Sequence, residues 1–209
     1  FCEIQEHKPH IVLADNVVDE HRIKHTGRLT HKDSLDGEKW NILCEEVRYL
    51  KQMIKDEFDL DVHFHPHCGS FIETPWEIES LLNGVPALKL IFDTAHIVMG
   101  AAAKPLYLVD LLNRYPDRIH SFQFKDYNPV AKGETYFELV QNGCFPELGK
   151  GICDFDGVWK WIKDNRYEGW IVVEQHILGA KEESSQSQDS PFMSAVRNRV
   201  FLENLSGKD

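Results

Sequence analysis

Five short apolar runs, separated by stretches with helical periodicity, constrain the fold of this chain more than any other feature of its sequence. The apolar runs have the length of buried strands and cover residues 10–16, 61–67, 88–93, 119–126 and 169–175. Apolar residues at helical spacing or helix-start signals predict helices over residues 37–56, 74–83, 105–115, 154–165 and 191–204. Strands that alternate with helices in this way build a parallel sheet with helices packed outside it.

Three segments do not follow this pattern. Residues 17–36 are polar and rich in histidine, and they are predicted to form a long loop. Residues 130–151 are predicted to be irregular, with a short helix over 136–141. Residues 181–190 read KEESSQSQDS and are predicted to be a flexible insert. The whole chain, residues 1–209, is predicted to be one domain.

An open doubly wound sheet and a piece of a (β/α)8 TIM barrel both fit an alternating α/β order. The sequence has no GxGxxG or P-loop pattern after any predicted strand, which disfavours the nucleotide-binding doubly wound fold. Polar and ionisable residues instead stand near the carboxyl ends of the predicted strands: Asp15, Asn16, His65, His67, Asp93, Gln123, Lys125 and Glu174. TIM barrels carry their active sites at that end. We therefore expect a partial barrel of five βα units.

The composition excludes several classes of partner. The formal net charge is −11, and so acidic a surface repels nucleic acid and anionic membranes. No apolar run reaches the roughly 18 residues that a membrane helix needs. The five cysteines are scattered and form no CxxC pair, which is typical of a reduced, cytoplasmic protein.

Histidines at alternate positions distinguish the second predicted strand, where His63, His65 and His67 lie on one face if the strand is regular. This spacing favours a functional role for at least one of them over three structural histidines. The histidines of the predicted loop (His21, His25 and His31) are expected to be solvated.

Three further positions have two interpretations each. Asp93 either caps the following helix or belongs to a site, and Lys125 with Asp126 is either a surface ion pair or part of that site. Glu174 ends an apolar run, where an unpaired carboxylate would be costly, so a metal or Lys125 would be its partner. Nitrogen and oxygen donors of this kind suit Mn²⁺, Co²⁺, Zn²⁺ or Fe²⁺.

Several motifs resemble one known family. They are HPHCGSFIET, FDTAH, FKD, FPELGKGICDF and YEGWIVVEQ, which begin at residues 65, 92, 124, 145 and 167. Together they resemble the xylose isomerase-like TIM-barrel superfamily of sugar isomerases and epimerases, and within it the inosose dehydratase branch. The resemblance spans about residues 10–176, and the segment over 143–155 is the most particular to the dehydratases.

The resemblance implies a fold position and a site. The chain would supply strands four to eight of the barrel. A divalent metal would be held by His65, Asp93, Gln123 and Glu174. Mn²⁺ or Co²⁺ is expected ahead of Zn²⁺ or Fe²⁺ as that metal. Gln123 departs from the family, which usually has histidine there. The substrate-binding candidates, two of which also have catalytic roles, are Asn16, Arg28, His67 and His96.

The implied activity is a metal-dependent lyase or isomerase that acts on a polyhydroxylated ketone through an enediolate. Glu174 or His96 would be the base, and His67 or Lys125 would be the acid. An epimerase or isomerase that reprotonates the same intermediate is the nearest rival. A non-catalytic relative is a second alternative. A DNA-repair endonuclease on a related barrel is a third, and it fits poorly because such an enzyme needs a basic face.

The implied partners are a small-molecule sugar or cyclitol and no nucleic acid or membrane. Five βα units would leave parallel edge strands unpaired, which favours either a partner, such as a second copy in a homo-oligomer, or a longer native chain.

Overall fold

A five-stranded, all-parallel sheet with the strand order β1-β2-β3-β4-β5 is the centre of the computed structural model, which describes residues 9–176 and 190–207. The strands are β1 (His10–Leu13), β2 (Asp61–Phe64), β3 (Lys89–Asp93), β4 (Ile119–Phe124) and β5 (Ile171–Val173). Each crossover adds the next strand on the same side, whereas a doubly wound sheet reverses its order. This topology confirms a partial (β/α)8 barrel.

Eight α-helices lie in the described part of the chain. They are α1 (Glu20–His25), α2 (Gly37–Phe58), α3 (Pro75–Gly84), α4 (Thr94–Gly100), α5 (Tyr107–Arg114), α6 (Tyr136–Gln141), α7 (Phe155–Asp164) and α8 (Pro191–Ser206). Local signals set several starts: Thr74 and Glu77 form a capping box before α3, and Asp154 accepts from the Gly157 amide before α7. None of these helices is long and apolar enough to cross a membrane.

The two faces of the sheet differ in chemistry. Phe64, Phe92, Phe122 and Phe124 belong to the main core, together with apolar residues of the surrounding helices. Successive residues of a strand point to opposite faces, so the polar residues between these phenylalanines lie on the concave side. The predicted alternation therefore separates a helix-packed core from a polar interior.

The strands end earlier than predicted. Strand β1 stops at Leu13 and β4 at Phe124, although the sequence predicts extended structure over residues 10–16 and 119–126. The hydrogen bonding between β1 and β2 continues for one residue after β2, because the His65 amide donates to the Leu13 carbonyl at 2.7 Å. The polar residues predicted at the strand ends thus lie mainly in the loops just after the ladder.

The predicted loop over residues 17–36 is wrong, because the segment contains α1 and a 3-10 helix, His31–Asp33. Asp19 caps α1 by accepting from the Arg22 amide. Arg22 is only 1% exposed and forms an ion pair of 2.9 Å with the equally buried Glu77. A long-range contact therefore holds a helix that is too short to be stable alone.

Smaller differences concern two other segments. The helix predicted from Pro105 begins at Tyr107, after a turn, and α4 follows directly on Asp93. Residues 181–189 of the predicted insert lie outside the described residues, and Ser190 caps α8 by accepting from the Met193 amide.

The Arg22–Glu77 pair gives the first prediction. Arg22→Met keeps much of the side-chain volume but leaves the Glu77 carboxylate without its cation and the Ser70 and Asp33 carbonyls without a donor. Breaking a buried pair costs about 3–5 kcal/mol. We expect a loss of that size in the free energy of unfolding, measured by urea denaturation.

Arg199→Met is the matched control, because Arg199 pairs with Glu203 on the surface with 81% of its side chain exposed. Exposed pairs contribute about 0–1 kcal/mol. Equal effects of the two substitutions would contradict the role given to Arg22.

Candidate active site

A buried ammonium group is at the centre of the polar cluster on the carboxyl side of the sheet. The Lys125 side chain is 1% exposed, and its Nζ lies 2.8 Å from Glu174 Oε1 and 3.1 Å from Asp93 Oδ2. Burial works to lower the pKa of Lys125, but the two carboxylates outweigh it and raise the pKa above its ordinary value. Lys125 is therefore a cation at neutral pH. The alternative of a surface Lys125–Asp126 ion pair is wrong, because both residues are buried.

Asp93 caps the following helix and also lies in the polar cluster. Its Oδ1 accepts from the His96 amide at 2.9 Å and so caps α4. Its Oδ2 faces Lys125 Nζ and lies 3.6 Å from His65 Nε2. Burial works to raise the pKa of Asp93, but Lys125 and the nearby imidazoles hold it well below its usual range. The carboxylate is thus fixed in position and ionised.

The His96 ring lies between two hydrogen-bond donors. The Cys68 amide is 3.2 Å from His96 Nδ1 and the Lys125 ammonium is 3.3 Å from His96 Nε2, whereas a neutral imidazole accepts at only one of its nitrogens. Burial lowers the pKa of His96 well below its ordinary value, which keeps the ring neutral. Its Nε2 faces the cluster, 4.0 Å from Asp93 Oδ2. With the lone pair on Nε2, His96 accepts from Lys125, and ligand atoms of His65, Asp93 and His96 can be chosen so that all lie within 4.8 Å of one another.

His67 has a defined tautomer. Its Nδ1 lies 2.8 Å from the Cys68 carbonyl, which can only accept, so Nδ1 carries the proton. Its Nε2 is then free to accept from the Tyr136 hydroxyl, 3.4 Å away. Burial lowers the pKa of His67 to about 4. The ring is neutral and lies 4.0 Å, between centroids, from that of His96.

Three polar atoms of the cluster are buried without a hydrogen-bond partner: His65 Nε2, Asp93 Oδ2 and Gln123 Oε1. Asp93 Oδ2 has charge contacts with Lys125 and His65, and Gln123 pairs in register with Asp93 on the neighbouring strand. Buried polar atoms of native proteins are nearly always satisfied, so three unsatisfied atoms on one sheet edge fit a bound cation. One nitrogen and two oxygens also suit the metals expected from the sequence.

Glu174 completes the group from the end of β5. Its side chain is 30% exposed, so the carboxylate reaches both Lys125 and the solvent-facing mouth. His176 lies two residues further, with its Nε2 3.4 Å from Glu174 Oε1. The sequence interpretation missed His176, although alternate spacing from Glu174 could have indicated it.

Two aromatic residues of the predicted irregular segment also contact the site and were missed. Tyr136 begins the predicted short helix, α6, and Phe145 lies with its ring centroid 5.1 Å from Lys125 Nζ. No local pattern predicts that residues so far from the strands return to the sheet edge. Asp126 explains the return, because its carboxylate accepts from the amides of Gly149, Gly151 and Cys153.

The structure separates the predicted substrate-binding residues. His67 and His96 lie in the cluster, whereas the exposed Arg28 donates to the Lys24 carbonyl. Asn16 is exposed, three residues after β1. Within residues 9–176 and 190–207, no hydrogen bond joins Asn16 or Arg28 to the cluster. The loop histidines His21, His25 and His31 are exposed, as expected.

Comparison with known proteins identifies a family. The family model of the xylose isomerase-like TIM barrel matches residues 3–194. Inosose dehydratase 1 of Bacillus cereus is 32% identical over 185 residues, which cover 85% of this chain and 58% of that protein. The chain therefore spans little more than half the length of this relative.

Solved structures share the fold at lower identity. The probable 3-DHS dehydratase AsbF of Bacillus anthracis has a TM-score of 0.58 at 15% identity, over 85% of this chain and 60% of that one. The IOLI protein with a bound zinc atom has a TM-score of 0.58 at 12% identity, over 86% of this chain and 61% of that one.

The tautomer of His67 and the neutrality of His96 are testable features of the site. Long-range ¹H–¹⁵N correlation spectra at neutral pH should show the Nδ1–H form for His67, since the Cys68 carbonyl fixes it, and a neutral ring for His96, whose pKa burial lowers. His67→Gln and His96→Gln spectra provide the assignments. A charged imidazole at either position at neutral pH would contradict this arrangement.

Proposed function

Since this chain belongs to the xylose isomerase-like TIM-barrel family, we propose that it is a metal-dependent lyase or isomerase of polyhydroxylated ketones, most similar to inosose dehydratase. The observation that carries the proposal is the group of Asp93, Lys125 and Glu174, with unsatisfied His65 and Gln123 atoms beside it. Acidic, basic and ligand groups converge at the barrel end where this fold performs chemistry.

A divalent metal fits the unsatisfied atoms. His65, Asp93, Gln123 and Glu174 would hold it. When bound, such a metal polarises a ketone oxygen and stabilises negative charge on it. The zinc atom of the IOLI protein supports a metal in this fold, and the donor set here admits Mn²⁺, Co²⁺, Zn²⁺ or Fe²⁺.

Glu174 is the proposed base. It is the partly exposed carboxylate of the group, so a substrate entering the mouth can place its α-hydrogen next to it. His96 is 1% exposed and its Nε2 faces the Lys125 ammonium, so it is less accessible to a substrate hydrogen than Glu174. The geometry thus favours Glu174 over His96 among the two bases considered from the sequence.

Lys125 is the proposed acid. In a dehydration, Glu174 takes the α-proton, the bond from the β-carbon to its hydroxyl breaks, and that hydroxyl leaves as water with a proton from Lys125. Lys125 is cationic, whereas His67 is neutral with a pKa of about 4, so Lys125 is the better proton donor at neutral pH. His67 and Tyr136 line the site and would orient the substrate hydroxyls.

An epimerase or isomerase would use the same base and return a proton to the carbon instead of expelling water. The 32% identity to an inosose dehydratase favours the lyase. The loop over 143–155, which resembles the dehydratases in sequence, also reaches the site through Phe145. The substrate class is a small sugar or cyclitol ketone.

A metal-binding and activity assay tests the proposal. Purified protein is loaded with Mn²⁺ or Co²⁺ and incubated with an inosose or a ketose in D₂O, and the products are analysed by mass spectrometry. Loss of water supports the dehydratase, and deuterium incorporation at unchanged composition supports the epimerase. If protein that binds the metal forms neither product, that result would favour the non-catalytic relative.

Asp93→Asn should abolish activity and remove the metal at the strand ends, because an amide supplies no charge, while it can still accept from the His96 amide. Asp154→Asn is the matched control, since Asp154 caps α7 in the same way away from the cluster. Full activity and unchanged metal binding in Asp93→Asn would refute the metal site.

Lys125→Met separates proton donation from metal binding. We expect the turnover number to fall by about 10²- to 10⁴-fold, the usual contribution of a general acid or base. Metal content should persist, since Lys125 is not a ligand. Lys160→Met, which alters an exposed lysine paired with Asp164, should leave turnover unchanged.

A further inference from the structure

A second group of histidines lies toward the amino-terminal end of the sheet. His10 begins β1, His63 is in β2, and His120 is near the start of β4. Their ring centroids are 3.5 Å apart for His63 and His120, 4.3 Å for His10 and His120, and 4.9 Å for His10 and His63. Three imidazoles from three strands therefore meet at one point.

A local irregularity of the sheet brings His120 into this group. Leu90 pairs with Ile119, but the next residue, Ile91, pairs with Ser121, so the register shifts by one residue at His120. Such β-bulges bend a strand and re-aim a side chain. The shift lets His120 reach across β3 to the histidines of β1 and β2.

The nitrogen positions match those of metal ligands. His10 Nδ1 and His120 Nε2 are 3.1 Å apart, and ligand nitrogens of a tetrahedral zinc site, with bonds of about 2.0–2.1 Å, are about 3.3 Å apart. One nitrogen from each of the three rings can be chosen so that all lie within 4.8 Å of one another.

An unsatisfied atom points to a ligand. His63 is 3% exposed, and its Nδ1 is buried without a hydrogen-bond partner in the described structure. The hydrogen bond between His10 and His120 does not satisfy this nitrogen. A buried, unsatisfied imidazole carries a desolvation penalty that a bond to a metal would remove.

We propose that His10, His63 and His120 form a second metal site, which takes Zn²⁺ with water as the fourth ligand. Three imidazoles are a known zinc-ligand set, and neutral imidazole prefers late first-row metals. The site would join β1, β2 and β4 across β3. His63 and His65 are two residues apart, so the second site lies about 7 Å from the first along the direction of β2.

Zinc content in a variant without the first site is the direct test. The wild-type chain should bind two equivalents of Zn²⁺, and Asp93→Asn should bind one. Adding His10→Gln and His120→Gln to Asp93→Asn should remove the remaining equivalent, whereas adding the exposed His25→Gln should not. X-ray absorption at the zinc edge of Asp93→Asn should show scattering from imidazole ligands.

A second measurement does not depend on the folding of the multiple variant. Zn²⁺ should protect the partly exposed His10 and His120 of the Asp93→Asn chain from carbethoxylation by diethyl pyrocarbonate, read by peptide mass spectrometry, and leave His25 reactive. Folded Asp93→Asn that binds no zinc, or that gains no protection at His10 and His120 when zinc is added, would overturn the second site.

Discussion

The buried ammonium of Lys125 determines the arrangement of the barrel mouth. An unpaired cation in a protein interior has an effective desolvation penalty of several kcal/mol, so Lys125 requires nearby carboxylates. Asp93 and Glu174 come from the two strands that flank β4, and each lies within about one hydrogen-bond length of Nζ. One charge therefore fixes the ends of three neighbouring strands relative to one another. The same charge keeps Asp93 ionised, which makes this carboxylate available to a second cation.

Buried carboxylates also hold the loops around the mouth. Asp126 accepts from three amides of the segment that carries Phe145, and Glu73 accepts from the amides of Gly27 and Gly69. These acids are 1% exposed, so their hydrogen bonds are not exchanged with water. Groups that must stabilise developing charge are most effective when their positions are fixed beforehand. The second layer of carboxylates thus provides the rigidity that the proposed chemistry requires.

The sequence predicts the elements better than their long-range contacts. The apolar runs and the capping signals, such as the Thr74–Glu77 box, indicate the strands and most helices because they are local. Helix α1 could not be predicted, since it depends on the contact of Arg22 with Glu77, 55 residues away. The position of Tyr136 beside His67 likewise depends on how the chain returns after β4. Asp93 and Glu174 were predicted because strand ends of a parallel sheet converge, whereas the group around His120 required the actual register of β3 and β4.

The three alternate histidines of β2 and the loop after it reach three different environments. His63 packs against His120, His65 faces Asp93, and His67 contacts Tyr136. Burial lowers the pKa of His63 to about 3 and that of His67 to about 4, so neither adds charge to the concave side. Neutral imidazoles can lie near a buried ammonium, whereas imidazolium groups would repel it. This is the physical reason why the cation of Lys125 is balanced by acids of neighbouring strands, and why the histidines remain available as donors, acceptors and metal ligands.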